Sequence, residues 1–169
     1  MRALTKGEKE TYYALFLLNL GISIALMMVI FHFSAQPAPK SQAISDGIVY
    51  YAITLFQKIV PTITFDTASF LVRKAAHFSE YLLLGFFLCK SVHYLMMLRI
   101  PSLIKPAGPL NICTRAWIFT TLYAISDEIH QSFVPGRSCE LRDMCIDASG
   151  ALLGVLLAYA FQHHHRLGR

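Results

Sequence analysis

The stretch Ser126-Asp127-Glu128-Ile129-His130-Gln131-Ser132-Phe133-Val134-Pro135-Gly136-Arg137 decides how this chain is read. It puts Asp, Glu, His and Gln in consecutive turns at the end of an otherwise apolar helix, and a Pro-Gly turn and an Arg follow at once. Shortly afterwards Arg142, Asp143 and Asp147 open another apolar run. Ionisable groups in or at the mouth of hydrophobic helices are costly, so they mark a purpose.

The surrounding composition sets the class. The 169 residues suit one domain, residues 1–169. The chain is 55% hydrophobic and 15% charged, with mean hydropathy +0.49. A soluble domain carries about 25% charged residues, so an all-α integral membrane protein is expected. The net charge of +5 then fits basic residues at an anionic lipid surface, and nucleic acid is not an expected partner.

Crossing the hydrocarbon takes about 20 apolar residues. Four segments qualify, at about 12–33, 70–98, 112–131 and 143–162. The first is too long for a cleavable signal and reads as a retained anchor. Between the first two, residues 41–60 carry Ile44, Ile48, Tyr51, Leu55 and Ile59 at helical spacing, with Pro61 after them. This predicts an amphipathic helix on the membrane surface or a lid across the bundle. Residues 99–115, with three prolines and a glycine, read as a connector.

Lys and Arg counts in the loops orient the bundle. Arg2, Lys6, Lys9, Arg99, Lys105, Arg115, Arg166 and Arg169 fall on one side; Lys40, Lys58, Arg137 and Arg142 fall on the other, with Arg73 and Lys74 at a helix start. The bias puts both termini in the cytoplasm of a multi-pass bacterial inner-membrane protein. Three polar clusters then share the outer end: Arg73 to Tyr81, Asp127 to Gln131, and Arg142 to Asp147. Lys74, His77 and Tyr81 lie on one stripe, and Arg73, His77 and Glu80 on another. Asp127, His130 and Gln131 share a face, and Asp143 and Asp147 are one turn apart. Gly150 and Gly154 suit close helix packing.

Cys89, Cys113, Cys139 and Cys145 form no CxxC pair, so no structural zinc is expected. They read as free thiols, although a Cys139–Cys145 disulfide stays open. His163-His164-His165 is a tail feature without an assigned use.

The segments Arg73-Lys74-Ala75-Ala76-His77-Phe78-Ser79-Glu80-Tyr81 and Ser126 to Arg137, with Asp143 and Asp147 beyond, resemble the signatures of the VanZ-like family of small bacterial membrane proteins. Those signatures are Lys-x-x-His-Phe-x-Glu-Tyr and Ser-Asp-Glu-x-His-Gln-x-Phe-x-Pro-Gly-Arg. Phe33-Ser34-Ala35-Gln36-Pro37 is similar to the family's Ser-Gln element. The resemblance runs from Phe33 to Gly154 and departs at Asp147, where the family often has Asn. It implies a role at the cell envelope linked to teicoplanin resistance, and it implies no particular reaction.

Three readings of the cluster stay open. In the first, Arg73, Lys74, Arg137 and Arg142 engage phosphate of an anionic envelope lipid or lipid-linked precursor. Tyr81, Glu128, Gln131, Asp143 and Asp147 complete that binding set, and His77, Glu80, Asp127 and His130 are the candidate acids and bases. In the second, His77-x-x-Glu80 and Asp127-x-x-His130 hold a metal as a hydrolase would, although the nearby cations oppose it and no cofactor is otherwise expected. In the third, the charges pair only to fix helix packing, as Asp127–Arg137 and Glu80–Lys74 would. The sequence specifies no oligomeric state.

Overall fold

The structure, a computed structural model, describes residues 4–98 and 109–167, with backbone alone for 109 and 163–167. Residues 99–108, several terminal basic residues and the His163-His164-His165 side chains therefore lie outside it. The described residues form five α-helices and no strand: α1 Lys6–Ser34, α2 Ala38–Ile59, α3 Phe65–Met97, α4 Pro109–Gln131 and α5 Leu141–Leu167.

Local chemistry sets the ends. Thr5 and Glu8 make a reciprocal capping box, which starts α1 well before its apolar run. Pro37 and Pro39 flank the start of α2, where a missing N–H costs nothing. Val60 is extended at φ −129°, because the ring of Pro61 disfavours helix in the residue before it. Thr64 accepts from the Thr67 N–H at 3.2 Å and opens α3, with Asp66 in the first turn. At 33 residues α3 is about 50 Å long, more than the roughly 30 Å of bilayer hydrocarbon.

Two expectations change in extent. The connector expected over 99–115 ends sooner, because α4 begins at Pro109, a residue suited to a first helical turn. Helix α3 starts at Phe65, ahead of its apolar run, because the Thr64 cap and Asp66 support polar helical turns there.

Helix α3 is the centre of the bundle and packs against all four others. Its contact with α5 is backbone to backbone. A Cβ on Gly85 would meet the backbone of Ala151, one on Gly150 the carbonyl of Phe78, and one on Gly154 the carbonyl of Leu82. Above and below this crossing sit two apolar clusters. One holds Ile30, Tyr81, Leu84, Ala124 and Ala151; the other holds Cys89, Ile112, Cys113, Ala116, Val155 and Ala158. Trp117 packs against both and donates its Nε1–H to the Ala148 carbonyl at 3.0 Å. Tyr123 ties α4 to α1 by donating to the Met27 carbonyl at 2.7 Å. All four cysteines are free thiols, Cys139 and Cys145 exposed and the other two buried.

Helix α1 and residues Leu141–Gln162 of α5 are long and apolar enough to cross a membrane. Large apolar side chains also point outward along other helices, among them Leu71 and Leu83 on α3 and Ile118, Phe119 and Leu122 on α4.

Candidate functional site

The polar ends of the helices meet at one end of the bundle. Ser34 closes α1, Arg73 to Tyr81 run from the third turn of α3 to its middle, Asp127 to Gln131 close α4, and Asp143 and Asp147 open α5. Direct contacts join them: Ser34 Oγ donates to Asp127 Oδ1 at 2.6 Å, Lys74 Nζ donates to Asp143 Oδ2, and His77 Nδ1 lies 3.7 Å from Asp147 Oδ1.

Between α1, α2, α3 and the α4–α5 turn is a cavity of about 150 Å³. The stripe Arg73, His77 and Glu80 forms one wall, with Ala76 beside it. Asp127 and Arg137 close the floor, and Ile30, Phe33 and Ser34 supply the α1 side. Helix α2 covers the cavity with Ser41, Ile44 and Ser45. It is held down by Asp46 Oδ1, which accepts from Ser69 Oγ at 2.5 Å and from Gln42 Nε2 at 2.8 Å. Further along the helix Tyr50, Tyr51, Leu55 and Ile59 are exposed. The amphipathic helix expected over 41–60 thus packs on α3 and lends three side chains to the cavity lining.

The Pro135-Gly136 turn delivers Arg137. The Arg137 N–H donates to the Val134 carbonyl at 3.1 Å, and Gly136 takes φ +76°, a left-handed conformation that glycine adopts without a Cβ clash. A Cβ there would also press on Ala38 of α2. Arg137 Nη1 donates to Gln131 Oε1 at 2.6 Å. Gln131 Nε2 in turn donates to Asp127 Oδ2 and Glu128 Oε1, both at 3.1 Å. One amide thus joins two carboxylates to a guanidinium. Burial, and after it the like charge of Arg73, lowers the pKa of Arg137 from its ordinary value. Two guanidinium groups therefore sit in mutual range at one cavity, and Arg73 Nε is buried with no hydrogen-bond partner.

The remaining expected site residues separate into distinct roles. Glu128 is fully buried and accepts from the Glu140 N–H at 3.0 Å, which fastens the α4–α5 connection. Lys74 is committed to Asp143 rather than to Glu80, and Arg137 reaches the Asp127 carboxylate through Gln131. Tyr81 turns into the core beside Tyr123, with its hydroxyl buried. Arg142 stays on the surface, paired with Glu140 at 2.5 Å and set over the Phe70 ring. His130 does not join the cavity: its ring stacks on Phe31 of α1, with centroids 4.5 Å apart.

That placement bears on the metal reading. His77 and Glu80 face the cavity with Asp127, but His130 points to α1, so the two i, i+3 pairs do not converge. Among the described residues no three of His, Cys, Asp and Glu are grouped to hold a metal ion. Ser41, Ser45 and Ala76 belong to the site without having been singled out from the sequence, and Ser34 had been noted only in the Ser-Gln element. The signal that locates Ser41 and Ser45 is Asp46, the one acid of the amphipathic helix, which lies off its apolar stripe.

A family model described as VanZ/LLP1 matches residues 19–162, which takes in the whole cavity. Neither the curated proteins nor the solved structures contain a match to the chain.

Proposed function

The chain belongs to the VanZ/LLP1 family, and from that premise we propose that it is a multi-pass membrane protein whose cavity holds the anionic headgroup of a cell-envelope lipid or lipid-linked precursor. The supporting observation is the pair Arg73 and Arg137 in one cavity, with Arg73 Nε buried and unpartnered. A buried donor without a partner is rare in folded proteins and calls for an acceptor. Guanidinium groups suit phosphate because their planar N–H fork matches it in two bonds at once. The apolar side formed by Ile30, Phe33 and Ile44 fits the first part of a lipid tail.

In this reading α1, α3, α4 and α5 all span the bilayer. The apolar outward faces of α3 and α4 support that assignment alongside the two most apolar helices, since soluble monomers rarely expose large contiguous apolar faces. The Lys and Arg bias of the loops favours both termini in the cytoplasm, and in that orientation the cavity opens toward the cell exterior. A site there is where envelope lipids are met, and this is the connection we draw to glycopeptide, including teicoplanin, resistance.

A second reading, in which the charges only fix helix packing, draws support from the Lys74–Asp143 pair and from Glu128. It leaves the unpartnered Arg73 Nε without an explanation. The test is lipid identification by mass spectrometry on protein purified in mild detergent, repeated for Arg73→Gln and Arg137→Gln. The expected result is one anionic lipid class retained by the parent and lost in both variants. Equal retention by folded variants removes the headgroup reading.

A further inference from the structure

Asp147 is, with Glu128, one of the two fully buried carboxylates of the cluster. It is wholly buried, and neither of its oxygens has a hydrogen-bond partner. Its Oδ1 lies 3.7 Å from His77 Nδ1, which is itself buried and unpartnered. His77 also lines the cavity that holds Arg73 and Arg137. One ring nitrogen therefore faces a buried carboxylate, and Nε2 is left for the cavity.

This is the arrangement that makes an imidazole a directed base. A carboxylate facing Nδ1 keeps the proton on that nitrogen, leaves the lone pair on Nε2, and offsets the charge when Nε2 takes a proton. A separation of 3.7 Å exceeds a hydrogen bond, but such contacts are often long before a ligand is bound and tighten with it. Packing restricts both partners: Asp147 lies one turn before Gly150, where α5 meets the backbone of Phe78, the residue after His77. The His77–Asp147 contact is thus set by the closest crossing in the fold.

We propose that Asp147 positions His77 as the general base of the cavity, and that the site hydrolyses a phosphoester of the lipid headgroup it binds. The proposal rests on the headgroup reading above and adds a reaction to it. A water proton passes to His77 Nε2 while the water oxygen bonds to phosphorus. The bond from phosphorus to the leaving oxygen breaks, and its electron pair stays on that oxygen. The imidazolium then returns its proton to the leaving oxygen, so the ring ends as it began. Arg73 and Arg137 hold the phosphoryl oxygens through the step. Asp147 touches no substrate and is a positioning residue.

Two measurements test this on the full chain. Nitrogen NMR of histidine-labelled parent protein, with the His77 signal assigned by its loss in His77→Gln, reads the tautomer directly. Protonated Nδ1 with free Nε2 is expected; protonation on Nε2 overturns the dyad without need of any Asp147 variant. In the second, the protein is incubated in heavy-oxygen water with vesicles of phosphatidylglycerol or, separately, of a polyprenyl phosphate, both of them phosphoesters. Heavy oxygen is expected in the phosphate product from one of them. Asp147→Asn should lower kcat by about a hundredfold, the low end for loss of general-base catalysis, with KM within about threefold. No label from either vesicle overturns the reaction, as does turnover that survives His77→Gln. If label is absent while the Arg73 and Arg137 variants still lose their lipid, the headgroup reading stands and the catalytic one falls.

Discussion

Lys74 on α3 and Asp143 at the head of α5 pair across 69 residues of chain, and both side chains are largely shielded from water. Lys74 also lies 5.2 Å from the Phe70 ring centroid, so its charge is held from two sides. Removing one member of a buried pair leaves the other charge uncompensated, which is far more costly than losing both. We expect Lys74→Met to destabilise the folded protein by about 3 kcal/mol, and Lys74→Met with Asp143→Leu to recover most of that loss. Thermal unfolding in detergent checks it; an additive double variant would mean that the two residues do not act as a pair.

The α3–α5 crossing makes a sharper contrast. Gly154→Ala and Gly150→Ala place a methyl group against backbone carbonyls that have no room to give, and both should lower stability by about 1–3 kcal/mol, as overpacking does. Gly21→Ala meets nothing within 4 Å and should be neutral or stabilising by up to about 1 kcal/mol, from helix propensity alone. Melting temperatures of the three variants provide the comparison.

Gln131 joins Asp127, Glu128 and Arg137 through a single amide. Gln131→Leu removes all three bonds and leaves two buried carboxylates short of a donor, at a cost of about 2–4 kcal/mol. It also frees Arg137 from its position, so retained anionic lipid should fall several-fold even in the fraction that folds. Lipid content per folded protein, by mass spectrometry, separates the two effects.

Topology can be read with a natural thiol. Cys139 is exposed in the α4–α5 connection, while Cys89 and Cys113 are buried. In a Cys145→Ser background, because Cys145 is exposed as well, a membrane-impermeant maleimide should label intact cells at Cys139, and adding Cys139→Ser should remove that signal. Labelling of Cys139 only after lysis reverses the proposed orientation.

How far the sequence could be read depends on what a helical wheel knows. It knows which residues share a stripe, so Arg73, His77 and Glu80 were placed on one wall, as the cavity has them. It does not know how a helix is rotated against its neighbours. His130 shares a stretch with Asp127 and Gln131, yet Phe31 on α1 takes its ring. Lys74 and Glu80 are six residues apart, on different sides of their helix, and the crossing fixed by Gly150 and Gly154 brings Asp143 to Lys74 instead. Amphipathic α2 was visible from its spacing. Whether its polar face met water or the bundle was decided by Asp46 and Ser69, a pairing between helices that no periodicity encodes.

The α4–α5 turn has a mechanical consequence for α2. The Ala38 N–H donates to the Pro135 carbonyl at 3.2 Å, and Gly136 lies against the Ala38 side chain. The first turn of α2 is therefore hung on the same arc that carries Arg137, while Asp46 and Ser69 latch its middle. Only the last turns, ending at Ile59, swing free of such fastenings among the described polar contacts. A tailed molecule reaching the arginines would then enter by levering that far edge outward, as a door turns about its jamb, and Arg137 would stay in place while the door moves.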